Sequence, residues 1–106
     1  MVKEAKARVK TRVVWTVPAN AHLRDIHEYV SESSARAADS QVAILLRAAS
    51  SLGDFPEIGR RGRRRGTREL IVTGTPYIVV YRIRLATVEI LAVIHGARRW
   101  PRRFSD

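Results

Sequence analysis

Arginine is the residue with most chemistry to offer in this chain, and it is unevenly spread. Residues 60–103 hold twelve arginines against two acids, Glu69 and Glu89, whereas residues 1–59 hold eight basic and seven acidic groups, so the formal charge of +10 sits in the second half. Arg60, Arg61, Arg63, Arg64 and Arg65 fall between Gly59 and Gly66, and Arg68 follows. Arg82 and Arg84 lie further on, and Arg98, Arg99, Arg102 and Arg103 surround Trp100 and Phe104. A guanidinium forks onto carboxylates and phosphates through paired N–H donors. Cations this dense repel one another unless a counter-charge arrives. They suggest a polyanionic partner: nucleic acid, a ribosome or DNA-associated enzyme, or an acidic protein segment. A surface merely solubilised by arginine is the alternative. Trp100 and Phe104 suit either base stacking or anchoring of a tail, and anchoring is the expectation for Trp100.

Other chemistry is thinly represented. There is no cysteine, which removes disulfides and thiolate metal sites and is compatible with a reducing compartment. The histidines are His22, His27 and His95, with no partner constellation for zinc, so neither a metal nor a cofactor is expected. His22 and His27, five apart on a helix, point to different faces and are expected on its solvated side. No apolar run approaches the ~20 residues that span a bilayer. The expectation is a protein of the cytoplasm with no membrane partner.

The elements that must position the arginines follow from periodicity. Alternation at Arg68–Val72, Tyr77–Ile83 and Val88–His95 predicts three strands in a meander. Gly74 can take positive φ in the first connection, and Pro76 fixes the backbone as the next strand begins. The second connection, Arg84 to Thr87, has neither Gly nor Asn, but the flanking apolar runs require a reversal. Strict alternation puts Tyr77, Val79, Tyr81 and Ile83 on one face of the middle strand, and Ile78, Val80, Arg82 and Arg84 on the other. In the last strand it groups Val88, Ile90, Ala92 and Ile94 against Glu89, Leu91, Val93 and His95.

Upstream, Val13–Val17 reads as a short strand stopped by Pro18, which opens a helix. Ala19, Leu23, Ile26 and Val30 form that helix's apolar stripe. Ser33 and Ser34 offer an N-cap to a second helix, about Ala35 to Leu52, with a stripe of Ala38, Val42, Leu45, Leu46, Ala49 and Leu52. Gly53 is placed for a left-handed helix stop, Phe55 and Ile58 for plugs at the core's edge, and Gly59–Gly66 for a mobile loop. The chain of 106 residues suits one domain, with residues 1–11 as a flexible basic arm and 102–106 as a tail. The fold class is α+β: a short N-terminal strand and an antiparallel helical hairpin packed on a small, mainly antiparallel sheet.

The order strand, helical hairpin, meander carries specific residues with it. Pro56, Gly59 and Arg60 precede Gly66, Arg68, Glu69 and Leu70; Tyr77-Ile78-Val79-Val80-Tyr81-Arg82 follows, then Val93-Ile94-His95-Gly96-Ala97-Arg98 ahead of Trp100-Pro101. Over roughly residues 12–101 this resembles the RelE/ParE superfamily of type II toxin–antitoxin toxins, and most of all its ParE branch of plasmid stabilisation proteins. The resemblance implies a small toxin neutralised by a co-encoded acidic antitoxin of the ParD type, in a hetero-oligomeric complex that reaches operator DNA only through the antitoxin. On the ParE side it implies a binder that inhibits DNA gyrase without chemistry of its own. On the RelE side it implies a ribosome-dependent mRNA endonuclease, for which His95 with Arg68, Arg82 and Arg98 is the candidate set. The lysine expected of a RelE-like site at the sheet end is absent, since every lysine precedes residue 11. The binder is therefore the leading expectation, with Arg60, Arg61, Arg63, Arg64, Arg65, Arg68, Arg82, Arg98, Arg99 and Trp100 as partner contacts and His95 capping a strand end or contacting the antitoxin.

Overall fold

Thr16 is where the first strand becomes the first helix. Its backbone N–H and its hydroxyl both donate to the Ile90 carbonyl, at 3.1 and 2.8 Å, and its Oγ1 accepts the Ala19 N–H at 3.4 Å. One residue thus ends β1 (Arg12–Trp15) and N-caps α1 (Val17–Ser31). The expected extension of the strand to Val17 does not occur: Val17 is in the helix and 81% exposed. The computed structural model describes residues 11–97, so the arm up to residue 10, Arg98, Arg99, Trp100 and the tail lie outside the described residues.

The helices pack largely as their stripes predict, although in the second helix Ile44 and Ala48 rather than Val42 and Leu46 flank the core. Ala19 and Ile26 of α1 are buried, and Leu23 and Val30 pack beside them. In α2 (Ala35–Ser51) Ser34 is the N-cap, accepting the Ala37 N–H, and Ala38, Leu45 and Ala49 are buried. Leu46 is 44% exposed, because adjacent helical positions diverge by about 100° and Leu45 holds the core side. His27 Nε2 meets Asp39 Oδ1 at 2.8 Å across the hairpin. Gly53 does not take the left-handed conformation; the positive-φ glycines are Gly66 and Gly74 among the described residues. Instead the N–H groups of Gly53, Asp54 and Phe55 turn back onto Ser50 and Ser51 carbonyls, tightening the helix end without a reversal of hand.

A five-stranded sheet of order β1-β5-β4-β3-β2 carries the helices. It comprises β2 (Arg60–Arg61), β3 (Arg68–Ile71), β4 (Tyr77–Arg84) and β5 (Thr87–His95), with β1 parallel to β5 and the other pairs antiparallel. The β3–β4 hairpin turns where expected: Gly74 has φ of 90°, and Thr75 Oγ1 donates to the Val72 carbonyl and accepts the Tyr77 N–H.

The β4–β5 ladder departs from strict alternation. Val80 pairs with Ala92 and Tyr81 with Ile90, leaving Leu91 as one extra residue on β5. Such a bulge reverses the face of everything beyond it. The expected grouping of β5 is thereby corrected: Val88, Ile90 and Val93 join Tyr77, Val79 and Tyr81 in the core under the helices, while Ala92 and Ile94 join Ile78 and Val80 in a separate buried cluster on the far face. Among the described residues no helix is long and apolar enough to cross a membrane.

Candidate partner-binding site

Glu69 organises the arginine segment. It is 3% exposed on β3, opposite Arg60 of β2, so its carboxylate is carried into the segment's interior. Arg60 donates from Nε and Nη2 to Oε1 at 3.2 and 2.9 Å. The Arg63 backbone N–H donates to Oε2 at 2.7 Å, and Arg63 Nε lies 3.4 Å from the same oxygen. Burial alone would raise the carboxyl's pKa; the Arg63 N–H, the Arg60 guanidinium and the two positive charges outweigh it and hold Glu69 below its ordinary value.

Tyr81 supplies a second tie. Its fully buried ring ends in a hydroxyl that donates to the Pro56 carbonyl at 2.7 Å and accepts the Gly59 N–H at 2.9 Å, and burial pushes its pKa up. Gly59 has to be glycine, since a Cβ there would lie 2.6 Å from the Tyr81 hydroxyl and 3.0 Å from the Glu69 carbonyl. Arg68 Nη1 donates to the carbonyls of Gly59 and Glu57 at 2.8 and 3.2 Å. Further round, Gly62 N–H donates to the Thr67 carbonyl at 2.8 Å, and Thr67 Oγ1 donates to that of Arg64 at 2.6 Å.

The segment expected to be a mobile loop is therefore a built one that begins as β2, and the buried counter-charge is the reason. It walls a cleft of roughly 690 Å³ lined by Glu57, Arg61, Arg63, Arg64, Arg65, Arg68 and Ile83. Arg61, Arg63 and Arg65 are exposed there. Phe55 and Ile58, expected as plugs, are 56% and 59% exposed, because hydrogen bonds to the backbone rather than apolar side chains dock this stretch.

Arg82 belongs to the far face. Its Nε meets Glu89 Oε1 at 2.6 Å, with Arg84 Nη1 at 3.7 Å from the same oxygen. His95 pairs with Tyr77 at the opposite end of β4, with the two rings edge to face at 5.6 Å, and its Nδ1 accepts the Ala97 N–H at 3.1 Å. Arg68 stands opposite Tyr81, four residues along the strand. At the rise of a β-strand that is about 13 Å from the His95 position. His95, Arg68 and Arg82 are thus kept apart rather than convergent, and Arg98 lies outside the described residues.

His22 was expected on the solvated face and is not there. Its Nδ1 accepts the Val93 N–H at 3.2 Å, and burial lowers its pKa against the raising effect of Asp25. With Ile26, Tyr29, Tyr77 and His95 it lines a second cleft of roughly 300 Å³ between α1 and β5. The signal was in the spacing: His22 lies three residues after Ala19 and four before Ile26, on the stripe itself.

Comparison with known proteins agrees with this architecture. The family model described as "ParE toxin of type II toxin-antitoxin system, parDE" matches residues 13–100. A protein of Sinorhizobium fredii provisionally named as a toxin, Y4kP, is 39% identical over 92 residues, covering 87% of this chain and 95% of the other. Toxin RelE2 of Caulobacter vibrioides is 38% identical over 87 residues, covering 82% of this chain and 97% of the other. A solved chain from the chromosomal ParDE system of P. aeruginosa superposes with a TM-score of 0.74 at 22% identity, over 81% of this chain and 96% of that one, and so shares the fold.

Proposed function

The chain belongs to the ParE toxin family of type II toxin–antitoxin systems, and from that premise we propose that it acts as a binder: it grips and inhibits DNA gyrase, and a co-encoded acidic antitoxin of the ParD type neutralises it. The observation that carries the reading is the Glu69 clamp. A carboxylate buried among arginines fixes a loop whose guanidiniums line an open cleft, an arrangement suited to holding carboxylates of a partner protein. Arg61, Arg64 and Arg65 are its contact residues, and Arg63 reaches the cleft from beside its ion pair with Glu69. Arg60 and Arg68 act one step back, by holding the loop. Gyrase as the target is taken from the ParE resemblance.

The likeness to RelE2 favours a second reading, a ribosome-dependent mRNA endonuclease. That chemistry needs a proton acceptor and phosphate-binding cations within reach of one ribose, and His95 sits at the other end of β4 from Arg68. Induction without antitoxin decides between the two. The binder predicts filamentous cells, a DNA-damage response and inhibition of gyrase supercoiling by the purified protein. Prompt cleavage of ribosome-bound mRNA with supercoiling unaltered would establish the endonuclease instead.

A further inference from the structure

The β4–β5 hairpin turns in two residues, Leu85 and Ala86, between the paired Arg84 and Thr87. Leu85 has φ of 56° and is the one non-glycine at positive φ among the described residues. For a side chain with a Cβ that conformation is unfavourable, which is why two-residue hairpin turns favour Gly, Asn or Asp where φ is positive. Leu85 is also 99% exposed, so its isobutyl group has no packing within the fold to offset the strain. Backbone and side chain both argue against leucine here on grounds of stability.

The surroundings give the leucine a context. Ile83, two residues back, is 36% exposed and forms part of the wall of the arginine cleft. The Arg84 side chain is 61% exposed. Leu85 is an apolar knob at the end of two hydrogen-bonded strands, two residues along the chain from the Ile83 that walls the arginine cleft.

We propose that Leu85 is the apolar anchor with which this chain docks on a folded protein target, entering a pocket rimmed by carboxylates that the neighbouring arginines meet. A projecting tip is complementary to a preformed concavity, and buried anchors of this kind dominate binding energy. An antitoxin segment that folds only on binding brings no such pocket. A phosphate backbone would engage the arginines and leave the leucine without a role. The inference rests on the reading of the chain as a toxin with a protein target, and it adds the residue that reaches that target.

The test uses Leu85→Gly and Leu85→Asn, each induced alone and also purified with the antitoxin. Both residues tolerate positive φ, so the melting temperature should equal or exceed that of the wild type. Growth arrest and inhibition of supercoiling should weaken at least about tenfold, as removal of a buried anchor does. Antitoxin affinity should stay within about twofold. Full growth arrest by both variants would overturn the inference. So would a parallel loss of antitoxin affinity, which would make the tip an antitoxin contact, or loss of binding to bare DNA in step with the loss of arrest. Failure of the gyrase reading looks different: the wild type would arrest growth with supercoiling untouched, while the variants still lose arrest.

Discussion

The two ends of β4 handle polar side chains in opposite ways. At the Tyr81 end a buried carboxylate and a phenol draw the backbone of the arginine segment inward, and cations are left on the outside. At the Tyr77 end two histidines take backbone N–H groups, His22 that of Val93 from between helix and strand and His95 that of Ala97 at the strand's exit. Charge must be neutralised at its root before it can be displayed, whereas an imidazole can complete a strand edge by itself. The display end is where a partner is to be sought, and the histidine end reads first as architecture.

That contrast can be broken from either side. Tyr81→Ala should have the largest effect, on the order of 3 kcal/mol, because it opens a cavity in the core and unties Pro56 and Gly59 together; urea denaturation measures it, and a near-neutral result would remove the phenol from the clamp. Glu69→Gln should cost on the order of 2 kcal/mol and speed amide exchange between Gly59 and Thr67. Its pH dependence has a definite sign. The folded carboxyl titrates below its ordinary value, so the unfolded chain holds the proton more tightly. The stabilisation is complete above the ordinary carboxylate range and is lost as pH falls through the depressed value. The wild type should lose that increment on acidification, and Glu69→Gln should not.

Replacing Arg63, Arg64 and Arg65 together by Ala should weaken binding to an acidic partner about tenfold at low salt, roughly 1.4 kcal/mol. The difference should shrink as salt rises; a salt-independent loss would mean that these side chains hold the loop rather than the partner. His95→Gln should do least, leaving toxicity within about twofold, since the amide can still accept from the Ala97 N–H. Complete loss of toxicity with the fold and antitoxin binding intact would make the histidine end chemical and reverse the comparison.

Local signals carried most of the fold. Ser34 as a cap, the stripe through Ala38, Leu45 and Ala49, and Gly74 in its turn each depend on neighbours within a few residues. The bulge at Leu91 has no such mark: neither Gly nor Pro announces it, and its effect appears only when an eight-residue strand is laid against a nine-residue one. The arginine cleft was legible as a composition but not as an object. Its order comes from Glu69, one acid in a basic run, whose burial depends on β2 and β3 pairing. Phe55 and Ile58 misled for the same reason, because their segment is docked through its backbone.

The parallel pairing of Arg12–Trp15 with Thr87–Ile90 joins the first described strand to the last. A nascent chain stalled anywhere before the final strand has emerged from the ribosome lacks the seat for Thr16 and the neighbour of β4 on which the sheet depends. On this topology the sheet waits for β5, and fragments that end before it should be harmless to the cell that makes them.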